Sequence, residues 1–186
     1  MDDKFSNYME GMAAAGKLLS RAHENGSFVE SVCLSASLID GLLRMGLILQ
    51  HQIETESLEI IPELLFQGAK DKIVSERSVY ERAELEGIID ARIRTQLDSL
   101  YSERNKVVHR YIISGIKTAD VLDIAHQYHM ILMAVNNLVA EIEKKQIRLG
   151  VGMTRNYSHG VVRTIEEMAE RKHGDSVLAE NLKRDL

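Results

Sequence analysis

Tryptophan is missing from this 186-residue chain, aromatic residues make up 5% of it, and proline and cysteine occur once each. Sheets are built largely from β-branched and aromatic residues, whereas alanine, leucine, methionine and glutamate suit helices, so this composition points to an all-α fold. The lone cysteine, Cys33, lies inside an apolar run. It leaves no disulfide framework and no cysteine-ligated zinc site, as expected in a reducing compartment. The opening MDDKFSNYMEGM lacks the basic and uninterrupted apolar regions of a secretion signal. The longest apolar stretch, Phe28 to Leu49, is interrupted by Glu30, Asp40 and Arg44, which argues against a bilayer-spanning helix. A cytoplasmic protein is therefore expected, with no membrane partner. Its length suits one domain with a real core better than two.

What is present reads as helices between breakers. A first helix is predicted from about Phe5 to His23, closed by Asn25-Gly26, with Ser27 as N-cap of a second helix reaching about Ile53. A shorter one follows Ser57, with Pro62 near its start, and an acid-rich, less regular stretch runs from Ala69 to Gly87. Helical spacing resumes from Ala91 to about Ile113. A turn with Thr118 as N-cap then leads into a long helix from about Ala119 to Arg148. These elements predict an up-and-down antiparallel bundle of four to five long helices over residues 1–148. Residues 149–186 are expected to form a loop and a C-terminal amphipathic helical arm, broken near Gly174, packing on the bundle or on a partner subunit.

In the second helix, Glu30, Cys33, Ser37, Asp40, Arg44 and His51 fall within an arc of about 80° on an otherwise apolar cylinder. Such a stripe must meet water, partners or a site. One reading is a solvent seam holding an i,i+4 ion pair between Asp40 and Arg44. The other has Ser37, Asp40 and Arg44 supporting polar residues of the helix that begins at Ala91.

That helix carries the densest chemistry. From Ala91 to Lys117 six bases (Arg92, Arg94, Arg104, Lys106, Arg110, Lys117) face two acids, in a chain of net charge −5. Ile93, Leu97, Leu100, Val107 or Val108, and Tyr111 mark its apolar side, and Arg104 falls on the same side, a costly place for a guanidinium unless it is paired or lines a wet cleft. Asn105 and His109 are about 40° apart in projection, with Ser102 on the same side, whereas Arg104 and His109 diverge by about 140° in a continuous helix. They converge only if the helix loosens near Lys106 to Val108, if the arginine stem reaches round, or if two copies of the helix face each other.

Arg104-Asn105-Lys106-Val107-Val108-His109, followed by Tyr111, resembles the motif of the HEPN superfamily: arginine, often a polar residue directly after it, four to six intervening positions, then histidine, in an all-α chain. The tyrosine two beyond the histidine resembles the branch paired with nucleotidyltransferase antitoxins. The resemblance covers about Ser27 to Lys145. It implies a metal-independent endoribonuclease, needing no cofactor, whose sites form where two motif helices meet in a homodimer, in a toxin or defence setting.

Those residue types suit the chemistry. RNA supplies its own nucleophile, the 2′-hydroxyl. A histidine with an ordinary pKa near ~6.5 can serve as general base or acid, here His109. A permanently charged, planar guanidinium, Arg104, can hold phosphate oxygens and stabilise the transition state. Asn105 would orient either group. Arg92, Arg94, Lys106 and Arg110 would attract the RNA backbone, and Tyr111 would stack, hydrogen-bond or accept an adenylyl group. Two alternatives stand beside this: an inactive RNA- or protein-binding module that dimerises, and a structural cluster at a helix end. Asp120, Asp123, His126 and His129 recur along the long helix, but a di-iron site needs a second acid-x-x-His helix that the sequence lacks, so no metal is expected.

Overall fold

The computed structural model describes residues 3–65, 73–153 and 165–173. Among them there are no strands, and seven helices follow in order: α1 (Asp3–Glu24), α2 (Phe28–Thr55), α3 (Pro62–Leu65), α4 (Glu76–Leu85), α5 (Ala91–Arg110), α6 (Thr118–Leu149) and α7 (Ile165–His173). The all-helical expectation holds.

Local chemistry explains most boundaries. α1 ends where Gly26 turns to a φ of 66° and the Ser27 and Gly26 amides bond back to the Ala22 and His23 carbonyls, the double bond of a Schellman turn. Ser27 occupies the N-cap of α2 but its hydroxyl makes no capping bond. Asp90 caps α5, its Oδ1 accepting from the Ile93 amide at 2.7 Å. The N-cap of α6 is Lys117 rather than Thr118, because Asp120 reaches back to accept from the Lys117 amide at 2.7 Å and Thr118 becomes the first helical residue.

The stretch expected to be irregular, Ala69 to Gly87, contains α4. Ten residues are too few to carry a strong periodic signal. Ser75 begins this helix by accepting from the Ser78 amide at 3.1 Å, and Val79, Tyr80 and Ala83 hold it by burial. Residues 66–72 lie outside the described residues, as do 154–164 and 174–186, which hold the expected break near Gly174.

α2 is the centre of the core. Ile39, Leu43, Leu47 and Ile48 are fully buried, and truncating one such leucine to alanine costs about 2–5 kcal/mol. By length and composition α2 could cross a bilayer, yet 67% of its most apolar window is covered by the rest of the protein. It packs chiefly on α6 with their C-terminal ends together: Gln52 meets Gln146, and Gly46 lies against Val139. α1 crosses α2 at Gly41, where an added Cβ would run into Met12 and the Tyr8 hydroxyl. α4 and α5 close the remaining side of α2, and α7 lies on the outer face of α1, with Ala169 against Ala13 and Ala14 and Arg171 paired to Glu10 at 3.2 Å.

Candidate functional site

α5 is a continuous α-helix to Arg110, so it does not loosen near Lys106. Even so, Arg104, Asn105 and His109 line one open depression of about 580 Å³, together with Tyr101, Ser102, Lys106 and Arg110. They come together through side-chain reach. The guanidinium extends from a core-facing position and its Nη2 donates to Asn105 Oδ1 at 3.3 Å, while His109 stands one turn beyond Asn105 and is exposed. Every lining residue belongs to α5.

Arg104 is strongly held. Its Nη1 donates to Glu76 Oε2 at 2.5 Å, with both side chains under 20% exposed. The guanidinium also lies 4.7 Å from the centroid of the Tyr101 ring. The fully buried Tyr80 donates its hydroxyl to the other oxygen of Glu76. Burial works against the arginine's charge, but the hydrogen bond and negative charge of Glu76 outweigh it, so its pKa rises. Burial likewise raises the pKa of Tyr80 and of Tyr128, which remain neutral hydroxyls.

Below this pair lies a polar seam between α2, α4, α5 and α6. Asp40 pairs with Arg44 at 2.7 Å, and its carboxyl pKa is raised by burial against the pull of Arg44. The Arg44 guanidinium also donates to the carbonyls of Val74, at 3.0 Å, and Leu64, at 3.4 Å. Cys33, half-buried nearby, has its thiol pKa pushed up by desolvation in spite of Arg104. The Tyr128 hydroxyl and Asp40 Oδ1 are buried with no hydrogen-bond partner.

The other residues singled out from the sequence are distributed unevenly. Ser102 and Lys106 line the depression, the first donating to the Asp98 carbonyl and the second paired with Glu103 at 2.6 Å. Arg110 lines it without an ion pair among the described residues, but Arg92 and Arg94 do not reach it. Twelve and ten positions before Arg104, they lie about 15–18 Å away along the helix axis, and Arg94 is taken by Asp98 at 2.8 Å and Glu84 at 3.8 Å. Tyr111 sits at the C-cap of α5, exposed, with its hydroxyl 3.1 Å from Thr118 Oγ1. Ser37 is exposed and donates to the Cys33 carbonyl of its own helix, so it supports nothing on α5. Asp40 and Arg44 lie beneath the site and do not line it.

Glu76, Tyr80, Tyr101 and Tyr128 escaped the sequence reading. The available signal was Ser75 ahead of Val79, Tyr80 and Ala83, a cap followed by helical spacing that would have placed Glu76 in a first turn. On α6, Asp120 is occupied with capping and the His129 ring packs edge-on against His23 at 5.4 Å. Among the described residues no cluster of three or more histidine, cysteine or acidic side chains is arranged to hold a metal.

No family model, curated protein or solved structure matches the chain.

The chemistry offered by the depression follows from donor counting. Asn105 Oδ1 is engaged by Arg104, so its amide nitrogen is left to present two donors. Arg104 uses one N–H on Glu76 and one on Asn105, leaving three of its five. With Lys106, Arg110 and the imidazole, the surface is rich in donors and suits an anion with several oxygens, such as a phosphodiester.

Proposed function

We propose that this chain is a HEPN-like, metal-independent endoribonuclease that cleaves RNA by attack of the 2′-hydroxyl, acting in the cytoplasm as a toxin or defence protein. The observation that carries the reading is the shared depression along α5 in which Arg104, Asn105 and His109 present a cation, amide donors and an imidazole. His109, exposed and next to the others, exchanges the proton of the 2′-hydroxyl or of the leaving oxygen. Arg104 and Asn105 stabilise charge on the phosphate oxygens, and Lys106 and Arg110 attract the backbone in a salt-dependent way.

Because one helix supplies every lining residue, the depression has a single wall, and a second copy's α5 would close it, giving a homodimer. An up-and-down course of the four long helices belongs to the same reading. Tyr111, exposed at the end of α5, is the residue that a nucleotidyltransferase antitoxin would modify.

The deciding experiment incubates the protein with RNA in chelator and compares wild type with His109→Ala and Arg104→Ala. Wild type is expected to leave 2′,3′-cyclic phosphate ends, and His109→Ala to lose about 10²–10⁴-fold in rate. Equal cleavage by all three proteins removes the proposal. A second reading, an RNA- or protein-binding module without turnover, is favoured by the engagement of Arg104 with Glu76, which leaves the guanidinium partly neutralised. Salt-dependent RNA binding that survives His109→Ala, with no product from wild type, would select it.

A further inference from the structure

We infer that Glu76, held by Tyr80, is a positioning residue that sets the orientation of Arg104 toward the substrate phosphate. This rests on the ribonuclease reading for its catalytic consequence, though not for its geometry. α4 has no residue in the depression, yet it delivers the anion that the Arg104 guanidinium touches, across 28 positions of sequence.

A long arginine side chain has many rotamers, and fixing it normally costs conformational entropy at the moment a ligand is bound. Here the restraint is already in place. Glu76 Oε2 takes one Nη1 hydrogen, Asn105 Oδ1 takes one on Nη2, and the Tyr101 ring covers a face of the plane. The carboxylate is itself fixed, because its other oxygen accepts from the hydroxyl of Tyr80, whose ring is fully buried. A chain of contacts therefore runs from the core through Tyr80, Glu76 and Arg104 to Asn105 at the surface.

Two simpler roles for Glu76 account for less. As a charge partner alone it would need no fixed orientation, yet Tyr80 holds it from behind. As a competitor that blocks the arginine it would occupy the outward edge of the guanidinium, but it reaches Arg104 from α4, which contributes nothing to the depression, and three N–H groups are left over. The Tyr101 ring is steadied by a second cation, Arg77, 5.3 Å from its centroid and paired with Asp98 at 3.2 Å, so α4 supports the aromatic platform as well.

The test compares wild type, Glu76→Ala, Glu76→Gln and Tyr80→Phe in full-length protein, measuring kcat and KM for RNA cleavage, thermal melting, and the ¹⁵N resonance of the Arg104 side-chain Nε–Hε group. Glu76→Ala is expected to lower kcat by about 10- to 100-fold, the scale of a misplacement near 1 Å. KM should change little and the Arg104 resonance should collapse to the averaged position of a free arginine. Glu76→Gln, which can turn its carbonyl to Arg104 and its amide to Tyr80, should restore part of the loss. Tyr80→Phe, which keeps the packing, should broaden the Arg104 signal and lower kcat a few-fold, and it decides the matter if Glu76→Ala does not fold. An unchanged Arg104 resonance in both Glu76→Ala and Tyr80→Phe, or a kcat that rises when Glu76 is removed, would overturn the inference. If wild type cleaves no RNA, the ribonuclease proposal fails on its own, while the resonance still reports whether Glu76 holds Arg104.

Discussion

Two buried polar constellations join α2 to its neighbours, one at its C-terminal end and one at its middle, and they are built differently. At the C-terminal end, Gln52 and Gln146 are completely inaccessible. Gln52 Oε1 accepts from Gln146 Nε2 at 2.8 Å and from the Met153 amide at 3.0 Å, while its own amide donates to the Glu59 carbonyl at 3.1 Å. Neither side chain has a buried polar atom without a partner. At the middle of α2, the seam of Asp40, Arg44, Glu76, Arg104 and Tyr128 is charged and partly exposed, and it leaves two polar atoms unpaired. A neutral amide clasp satisfied by its own chain adds order and offers nothing to a ligand. A charged seam with spare donors at its mouth is costly to fold around and is useful only where something binds.

The largest effect expected from this contrast lies at the seam. Arg104→Ala should reduce RNA cleavage by about 10²–10³-fold and also lower stability, since it strands the Glu76 carboxylate. The double variant Arg104→Ala with Glu76→Ala should recover most of that stability without any cleavage, because removing both partners leaves no unpaired charge. A double variant that cleaves like wild type would break the contrast.

At the clasp the pattern should invert. Gln52→Leu removes the shared acceptor of the Gln146 amide and the Met153 N–H and is expected to cost about 1–3 kcal/mol, a drop of several degrees in Tm, with kcat unchanged. Gly152→Ala should cost about 1–2 kcal/mol, because Gly152 has a φ of +65° and an added Cβ would run into the Gln146 and Gln52 amides. Cleavage that falls together with Tm in either variant would mean that the clasp and the site are coupled.

The smallest expected effect concerns Cys33. Its pKa is raised in the folded protein, so at pH 8 it carries less thiolate than in the unfolded chain. Alkylation by iodoacetamide should be several-fold slower in native than in denatured protein. Equal rates would show that the seam is wetter than its geometry indicates.

The long helices and the motif could be read in the sequence because both are local. Periodicity over twenty or more residues marked α2, α5 and α6, and Asn25-Gly26 marked the boundary between α1 and α2. Spacing along one helix also grouped Ser102, Asn105 and His109 without knowledge of the fold. It placed Arg104 facing the core and called for a partner or a wet cleft, yet it could not supply the partner, because α4 is short, charged and helical chiefly through its packing on α2. The same limit applies to charge. Six bases against two acids between Ala91 and Lys117 look like a strongly positive strip, but Glu76 and Glu84 on α4 and the strip's own Asp98 and Glu103 engage Arg104, Arg94 and Lys106.

The amino-acid sequence by itself determined an all-helical chain, the approximate extents of its long helices, and a row of anion-seeking side chains on one of them, since each depends on residues within a few turns of one another. Only tertiary structure decided that Arg104 is tethered by Glu76 and that Gln52 closes on Gln146. Those outcomes depend on which elements are brought together across 28 to 94 positions, and burial, which sets the cost of leaving a charge or an amide unpaired, exists only once the helices have packed.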